Sequence, residues 1–341
     1  MTTPLPTAML DAMRDTITRM AGVRVAVVGD MLLDRFLLGT STRISREAPV
    51  LILRHQQTME VPGGGANTVA NVCALGAKAV ALGAIGDDNE GQQLLALLER
   101  AGLDADARRL HLQRGWPTTT KTRILGGLSH STMQQIVRID REQELPEGDE
   151  PGATIARDLE QLWPTLDAVI VSDYGLGVVR PPLIEALRRL RATRPIPVTV
   201  DSRYALPLFR DLTSMTPNIS EVEATLHDER LSHDLPRLEL RGEQLRADLG
   251  LDALLVTRGK FGMSLFEPGA GPLHIPVFGT DQVADVTGAG DTVIATYTTA
   301  LAAGASFEVA ARLANVAGGL KVMKRGTAVV PAAELRAALA T

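Results

Sequence analysis

Residues 285–292, of sequence DVTGAGDT, combine two glycines, a following carboxylate and the start of a helical pattern over residues 293–303. Gly288 and Gly290 allow the backbone to turn tightly just before that helix. Unpaired N–H groups at a helix start form an anion-binding site, which the helix dipole strengthens. Asp291 can accept a proton from a hydroxyl group beside that site, an arrangement typical of phosphoryl transfer. The alternative is that Asp291 only caps a structural helix.

Two further elements carry groups suited to binding hydroxyls. Residues 63–67, of sequence GGGAN, precede a helical pattern that runs to Leu75. Consecutive glycines leave backbone amides open to a closely approaching ligand, and the Asn67 amide both donates and accepts hydrogen bonds. The other interpretation is a flexible turn with a helix cap. Residues 29–34 place two carboxylates after the first predicted strand, where ligands of open α/β sheets gather, although one of them could instead cap the local turn.

The elements that must position these motifs alternate along the chain. Strands are predicted at residues 23–28, 79–84, 168–171, 198–200 and 253–257, and helices between them at residues 91–101, 182–192 and 241–249. This βαβ alternation predicts a largely parallel sheet covered by helices on both faces. Residues 145–153, rich in Pro, Gly and Glu, are predicted to form a loop.

Residues 35–54 and 118–140 break this alternation, because they are extended, rich in β-branched residues and partly polar. The alternating pattern over residues 134–140 predicts a half-buried strand. We interpret both stretches as strands that leave the main sheet to form a small lid. The alternative is a pair of long surface hairpins without function.

Composition and missing motifs exclude several classes of protein. The 341 residues have a formal net charge of −5 and 3% aromatic residues, and they contain no basic run suited to a nucleic-acid backbone. No P-loop and no Gly-x-Gly-x-x-Gly after the first strand is present. No apolar run approaches the ~20 residues that span a bilayer, and the N-terminus lacks a signal-peptide core. We therefore expect a cytoplasmic protein whose partners include neither nucleic acid nor membrane.

In this order, the motifs resemble those of the ribokinase-like (PfkB) family of carbohydrate kinases over nearly the whole chain. The matching segments are residues 29–34, 63–67, 86–91, 216–221 and 285–292. The resemblance implies one α/β domain over residues 1–341, with three α/β/α layers, a mostly parallel central sheet and a β-strand lid from residues 35–54 and 118–140. It also implies ATP and Mg²⁺, leaves a requirement for K⁺ open, and suggests a homodimer that pairs through the lid.

The resemblance also implies a role for each matching residue. Asp291 would be the catalytic base, and the backbone amides of Gly288, Ala289 and Gly290 would form the anion hole. The sugar would contact Asp34, Gly64, Gly65 and Asn67; the nucleotide would contact Asn218, Thr257, Arg258 and Gly259; Asn218 and Glu221 would hold magnesium, largely through water.

Within the family, the chain is most similar to heptose 7-phosphate kinases, which form a 1,7-bisphosphate. The matching runs are residues 43–50, 120–123, 134–140, 255–258 and 285–287, whereas residues 200–203 replace an expected Asp-Pro-Lys and residues 126–133 form a longer stretch. A substrate phosphate would need cationic partners. The candidates on the lid are Arg43, Lys121, Arg123 and Arg138. The alternative for each is a solvated surface charge.

Two other functions remain open at this stage. One is a kinase of an unphosphorylated sugar or a nucleoside, although a lid poor in aromatic residues disfavours nucleosides. The other is a non-catalytic sugar-binding protein on the same fold. The presence of Asp291 and of the pair Asn218 and Glu221 counts against this second function, because binding alone needs neither a base nor a metal site.

Overall fold

A computed structural model describes residues 5–127, 133–146, 149–279, 284–324 and 326–340. Its helices are α1 (Thr7–Met20), α2 (Gly65–Ala74), α3 (Asn89–Arg100), α4 (Asp149–Leu162), α5 (Pro181–Thr193), α6 (Ile219–Leu226), α7 (Leu235–Asp248), α8 (Ala289–Ala302), α9 (Phe307–Val322) and α10 (Ala332–Ala338). Across those ranges, none of the helices combines the length and apolar character required to cross a membrane.

Most of the strands form one large sheet in the order β13-β12-β11-β10-β9-β8-β1-β4-β5. They are β1 (Arg24–Gly29), β4 (Lys78–Gly86), β5 (Arg108–Gln113), β8 (Ala168–Asp173), β9 (Val198–Ser202), β10 (Ser214–Met215), β11 (Ala253–Thr257), β12 (Met263–Phe266) and β13 (Leu273–Ile275). Strands from β11 through β5 pair in parallel, and β12 and β13 add an antiparallel edge. The predicted, mostly parallel sheet is therefore confirmed.

Successive side chains of a strand point to opposite faces of the sheet, and both faces of this sheet are covered. On β1, Ala26 and Val28 pack with apolar residues of α4, α5 and α7. Their neighbours Val25 and Val27 pack on the other face with residues of α2, α3 and α8. These helix layers on both faces confirm the predicted three-layer arrangement.

The lid is a separate four-stranded sheet in the order β3-β2-β6-β7. Its strands are β2 (Met31–Ile44), β3 (Leu51–Gly64), β6 (Thr120–Gly127) and β7 (Gln134–Arg141). Strands from the described parts of both predicted stretches belong to it, but β2 begins at Met31, one residue after β1, and β3 continues through the glycine cluster to Gly64. The lid is thus larger than predicted: β2 connects it to β1 of the main sheet, and β3 leads directly into α2.

Two local predictions are wrong. Over residues 134–140, both faces of the strand are exposed: Ile136 is 43%, Val137 45% and Ile139 56% exposed. The reason is that β7 is the edge strand of the separate lid sheet. The predicted loop over residues 145–153 ends early, because α4 begins at Asp149. Pro151 is tolerated in the first turn of this helix, where the backbone N–H groups have no helical acceptors.

Candidate active site

The carboxyl ends of neighbouring parallel strands bring the candidate residues to one edge of the large sheet. Asp30 follows β1, Tyr174 follows β8 and Asp201 lies near the end of β9, and these three strands are adjacent. The start of α8 reaches the same edge. A side chain built on Gly290 would come within 3.5 Å of Asp201 Oδ2. Such an edge is where open α/β sheets bind their ligands.

Asp291 lies in the first turn of α8 and is only 4% exposed. Its Oδ2 accepts a hydrogen bond from Asn67 Nδ2 at 2.7 Å, and its Oδ1 accepts one from Tyr174 Oη at 2.9 Å. Burial raises the pKa of Asp291, while these two hydrogen bonds act in the opposite direction. The carboxylate is therefore held in a fixed orientation and does not simply cap the helix with its side chain.

Tyr174 is the contact that sequence reasoning missed. The guanidinium of Arg203 lies 4.3 Å from the centre of its ring, so Tyr174 contacts both a cation and, through its hydroxyl group, the Asp291 carboxylate. One signal in the sequence was available, since Tyr174 lies three residues after the end of the strand predicted at residues 168–171. Its partner Asp291 lies 117 residues away, a separation that no local pattern reveals.

Asp30 holds the segment that carries Tyr174. Its carboxylate accepts backbone hydrogen bonds from Tyr174 at 2.8 Å, Leu176 at 3.2 Å and Val178 at 3.3 Å. Burial raises the pKa of Asp30 to about 6 despite these bonds. Of the two carboxylates in residues 29–34, Asp30 is thus the one that organises a loop.

Geometry requires glycine at position 288 of the DVTGAGDT segment. Gly288 has φ +77°, and a side chain there would lie 2.6 Å from the Asn67 amide nitrogen. The N–H of Ala289 donates to Val286 O at 3.1 Å. Asp285 fixes the preceding turn, because its carboxylate accepts from the N–H groups of Thr287 and Gly326, each at 2.9 Å.

The first glycine cluster serves close packing at the base of the lid. A side chain at Gly63 would lie 2.9 Å from the carboxyl group of Asp34. The Gly65 N–H donates to Asp30 O at 2.9 Å, and Gly64 has φ +53°. Asn67, predicted to bind the sugar, is 1% exposed and donates to Asp291 instead. In this structure the cluster therefore joins the lid to the Asp291 site.

Three of the four candidate cations on the lid act on Asp34. Arg123 Nη1 lies 2.6 Å from Asp34 Oδ1, and its guanidinium lies 5.3 Å from the centre of the Phe36 ring. Burial raises the pKa of Asp34, and the charges of Arg123, Lys121 and Arg138 oppose that rise. Asp34, predicted as a sugar contact, is thus paired with a cation at the base of the lid.

The other two cations of this group are also paired. Lys121 Nζ lies 3.2 Å from Asp140 Oδ2 and 2.8 Å from Glu142 Oε2, and Arg138 Nη2 lies 2.8 Å from Asp140 Oδ2. Arg43 stands apart. It lies nine residues along β2 from Asp34, roughly 30 Å at the rise of an extended strand. The structure does not bring Arg43 together with the other three.

The candidate nucleotide residues meet beside β11. Asn218 and Thr257 form a parallel β-bridge, and Gly259 follows in a turn with φ +55°. Arg258 extends towards Phe261, whose ring centre lies 5.7 Å from its guanidinium. The sequence prediction thus selected four residues that the fold places side by side.

Asn218 and Glu221 form the capping box of α6. The Asn218 side chain accepts from Glu221 N at 3.0 Å, and the Glu221 side chain accepts from Asn218 N at 2.8 Å.

Burial and the nearby carboxylates of Asp291 and Glu221 raise the pKa of Asp201 to about 8. Within the described part of the chain, no group of three or more His, Cys, Asp or Glu forms a ready metal cage. Crowded carboxylates at this edge nevertheless suit a hydrated Mg²⁺, whose charge would relieve their repulsion.

The comparisons with known proteins agree with this geometry. The model of the pfkB family carbohydrate kinases matches residues 23–333. The chain belongs to the pfkB family of carbohydrate kinases. As a member of this family it is a carbohydrate kinase with the ribokinase-like α/β fold. Family membership therefore favours an enzyme over the non-catalytic sugar-binding protein considered from the sequence.

Among similar proteins, Bifunctional protein HldE of Hahella chejuensis is 41% identical to this pfkB-family kinase over 319 residues. The match covers 93% of this chain but only 63% of that relative's length. Arabidopsis thaliana ribokinase, solved with ribose and ATP, has 21% identity and a TM-score of 0.69, with 94% of this chain and 99% of that chain covered. Phosphofructokinase-2 from Escherichia coli, solved with potassium, has 18% identity and a TM-score of 0.72, with 94% and 98% covered.

Proposed function

We propose that the chain transfers a phosphoryl group from ATP to a hydroxyl of a sugar phosphate, with heptose 7-phosphate as acceptor and a 1,7-bisphosphate as product. It would do so in the cytoplasm as a single domain with a lid. The observation that carries this proposal is the Asp291 carboxylate, held by Asn67 and Tyr174 at the start of a glycine-flanked helix.

Asp291 is assigned the role of the base that removes the proton from the attacking hydroxyl group. Because Ala289 N–H already donates to Val286 O, the amides of Gly288 and Gly290 are the better candidates for receiving the transferred phosphate. Asn218 and Glu221 would hold Mg²⁺ through water, and the bound ion would supply positive charge to the nucleotide phosphates. Thr257, Arg258 and Gly259 are assigned to the nucleotide, since they lie beside Asn218.

The lid cations support a phosphorylated acceptor. The charges of Lys121, Arg123 and Arg138 all act on Asp34, and the charge of Asp34 acts in turn on Asp291. A substrate phosphate near Asp34 would gain charge-assisted hydrogen bonds by replacing carboxylate partners such as Asp140. The 41% identity to Bifunctional protein HldE over 93% of the chain also supports this proposal.

One observation favours the alternative, a kinase of an unphosphorylated sugar. Each of these three cations is already paired with a carboxylate, so none of them requires a substrate phosphate for neutrality. The sugar-phosphate kinase and the free-sugar kinase can be distinguished by measuring kcat/KM for a panel of sugars and the matching sugar phosphates with ATP and Mg²⁺. We expect kcat/KM to be highest for heptose 7-phosphate. A higher value for a free sugar would overturn the proposed acceptor.

We also propose that two copies pair through the lid. The exposed apolar residues of the edge strand, Ile136, Val137 and Ile139, support this arrangement. Val137 and Ile139, two residues apart, share one face of the strand and give it the apolar character of a surface that a second lid sheet would cover.

A further inference from the structure

Lys321 is a buried cation for which the proposed chemistry has no use. It lies in the last turn of α9 and is 0% exposed. A lysine is almost never buried completely without a partner. Its ammonium group donates a hydrogen bond to the backbone carbonyl of Asp285 at 3.1 Å. Asp285 is the first residue of the glycine-rich segment that leads into Asp291.

Several bonds fasten this segment to the end of α9. The N–H groups of Ala284 and Asp285 donate to Val322 O at 2.8 and 3.1 Å. The Asp285 carboxylate in turn accepts from Thr287 and Gly326. Lys321 thus belongs to an anchor that fixes the segment to the end of α9.

The ammonium group also contributes charge. Burial lowers the pKa of Lys321, while the negative charges of Asp285 and Asp291 act to raise it. The group therefore interacts electrostatically with the first residue of the turn and with Asp291 beyond it. Carbonyl and carboxylate oxygens are ligands that suit a small cation. In this protein the ammonium group of Lys321 lies among such oxygens.

We infer that Lys321 is a positioning residue whose buried ammonium holds the 285–288 turn in its phosphate-binding form and supplies the positive charge that a bound monovalent cation would otherwise provide. The inference rests on the function proposed for this turn. If Lys321 supplies this charge, the activity of the enzyme does not depend on added K⁺.

The test compares the wild-type chain with Lys321→Met in choline chloride, KCl and NH₄Cl at equal ionic strength. Met is one heavy atom shorter than Lys, approximates its apolar stem and removes the charge. The wild-type rate, measured with the best acceptor of the substrate panel, should change less than about twofold among the salts. The variant should lose roughly tenfold to a hundredfold in kcat in choline chloride, because the anion site is displaced, with a smaller change in KM. KCl or NH₄Cl should restore part of that loss.

Lys324→Met is the matched control. Lys324 lies three residues further along the chain, and its ammonium group donates to Val329 O and Glu334 Oε2, away from Asp285. Its rate should show no response to the choice of cation. If Lys321→Met does not fold, Lys321→Gln takes its place in the same comparison.

A second readout needs no acceptor, so it remains informative if the proposed substrate is wrong. The Tm of Lys321→Met should be higher in KCl than in choline chloride, whereas the wild-type Tm should be equal in both. A wild-type enzyme that requires K⁺, or a variant without any cation response in rate and Tm, would overturn the inference.

Discussion

The Tyr174 hydroxyl group donates a hydrogen bond to Asp291 Oδ1 at 2.9 Å, while Asn67 Nδ2 donates to Oδ2 at 2.7 Å. The two donors come from different elements, the segment after β8 and the first turn of α2. Together they orient both oxygens of a carboxylate that is 4% exposed. In the proposed reaction this arrangement prepares the base before the sugar binds.

Tyr174→Phe should shift the acidic limb of the pH profile of kcat/KM to higher pH. The variant keeps the ring beside Arg203 but removes a hydrogen bond that lowers the pKa of Asp291. A hydrogen bond to a charged group contributes about 1.5–3 kcal/mol, which corresponds to a shift of roughly one pH unit or more. Tyr297→Phe is the control, because the buried Tyr297 hydroxyl pairs with Ser214 instead. An unshifted limb for Tyr174→Phe would contradict the role of the hydroxyl group.

The stability of the protein should depend on the protonation of Asp201. Its pKa in the folded chain is raised to about 8, so between that value and the unfolded value near ~4 the folded state binds a proton that the unfolded state has released. The free energy of unfolding should therefore rise as the pH falls below about 8, by up to about 1.4 kcal/mol per pH unit. In Asp201→Asn this pH-dependent gain in the free energy of unfolding should be absent. Urea titrations of both proteins at pH 8 and pH 5 measure the difference. Equal pH dependences for the two proteins would refute the raised pKa.

Glu221→Gln should raise the Mg²⁺ concentration needed for the half-maximal rate. Gln at this position preserves the capping box of α6, so the variant removes charge and leaves the helix start intact. Glu223→Gln, on the same helix, is the control, because the Glu223 side chain accepts from Ser232 N. If the magnesium titration of Glu221→Gln matches that of the wild type, the residue does not serve the metal.

Lys121→Met should lower kcat/KM for a sugar phosphate by roughly tenfold to a hundredfold, because it removes one charge-assisted contact to the substrate phosphate. The value for the matching free sugar should barely change. Arg123→Met should show the same selectivity with an additional loss of stability, since it leaves the buried Asp34 without its partner. Arg54→Met, at an exposed position of β3, is the control. A parallel fall for both acceptors would mean general damage to the lid.

The sequence was sufficient to predict the elements that local patterns encode. The βαβ alternation predicted the large sheet, and the DVTGAGDT segment located Asp291 at the start of α8. What could not be predicted depends on contacts between distant parts of the chain. Asn67 and Asp291 lie 224 residues apart, and Lys321 and Asp285 lie on different elements. The pairing of Asp34 with Arg123 likewise depends on the register of β2 against β6.

The most direct test of the central claim measures phosphate transfer from ATP to heptose 7-phosphate by the wild-type chain and by Asp291→Asn under the same conditions. We expect the wild type to form the bisphosphate and the variant to have a kcat lower by roughly two to four orders of magnitude, the range for loss of a general base. ATP affinity and the fold should be retained, as checked by equilibrium binding and circular dichroism. A variant whose kcat lies within about tenfold of the wild-type value would contradict the role of Asp291 as the base.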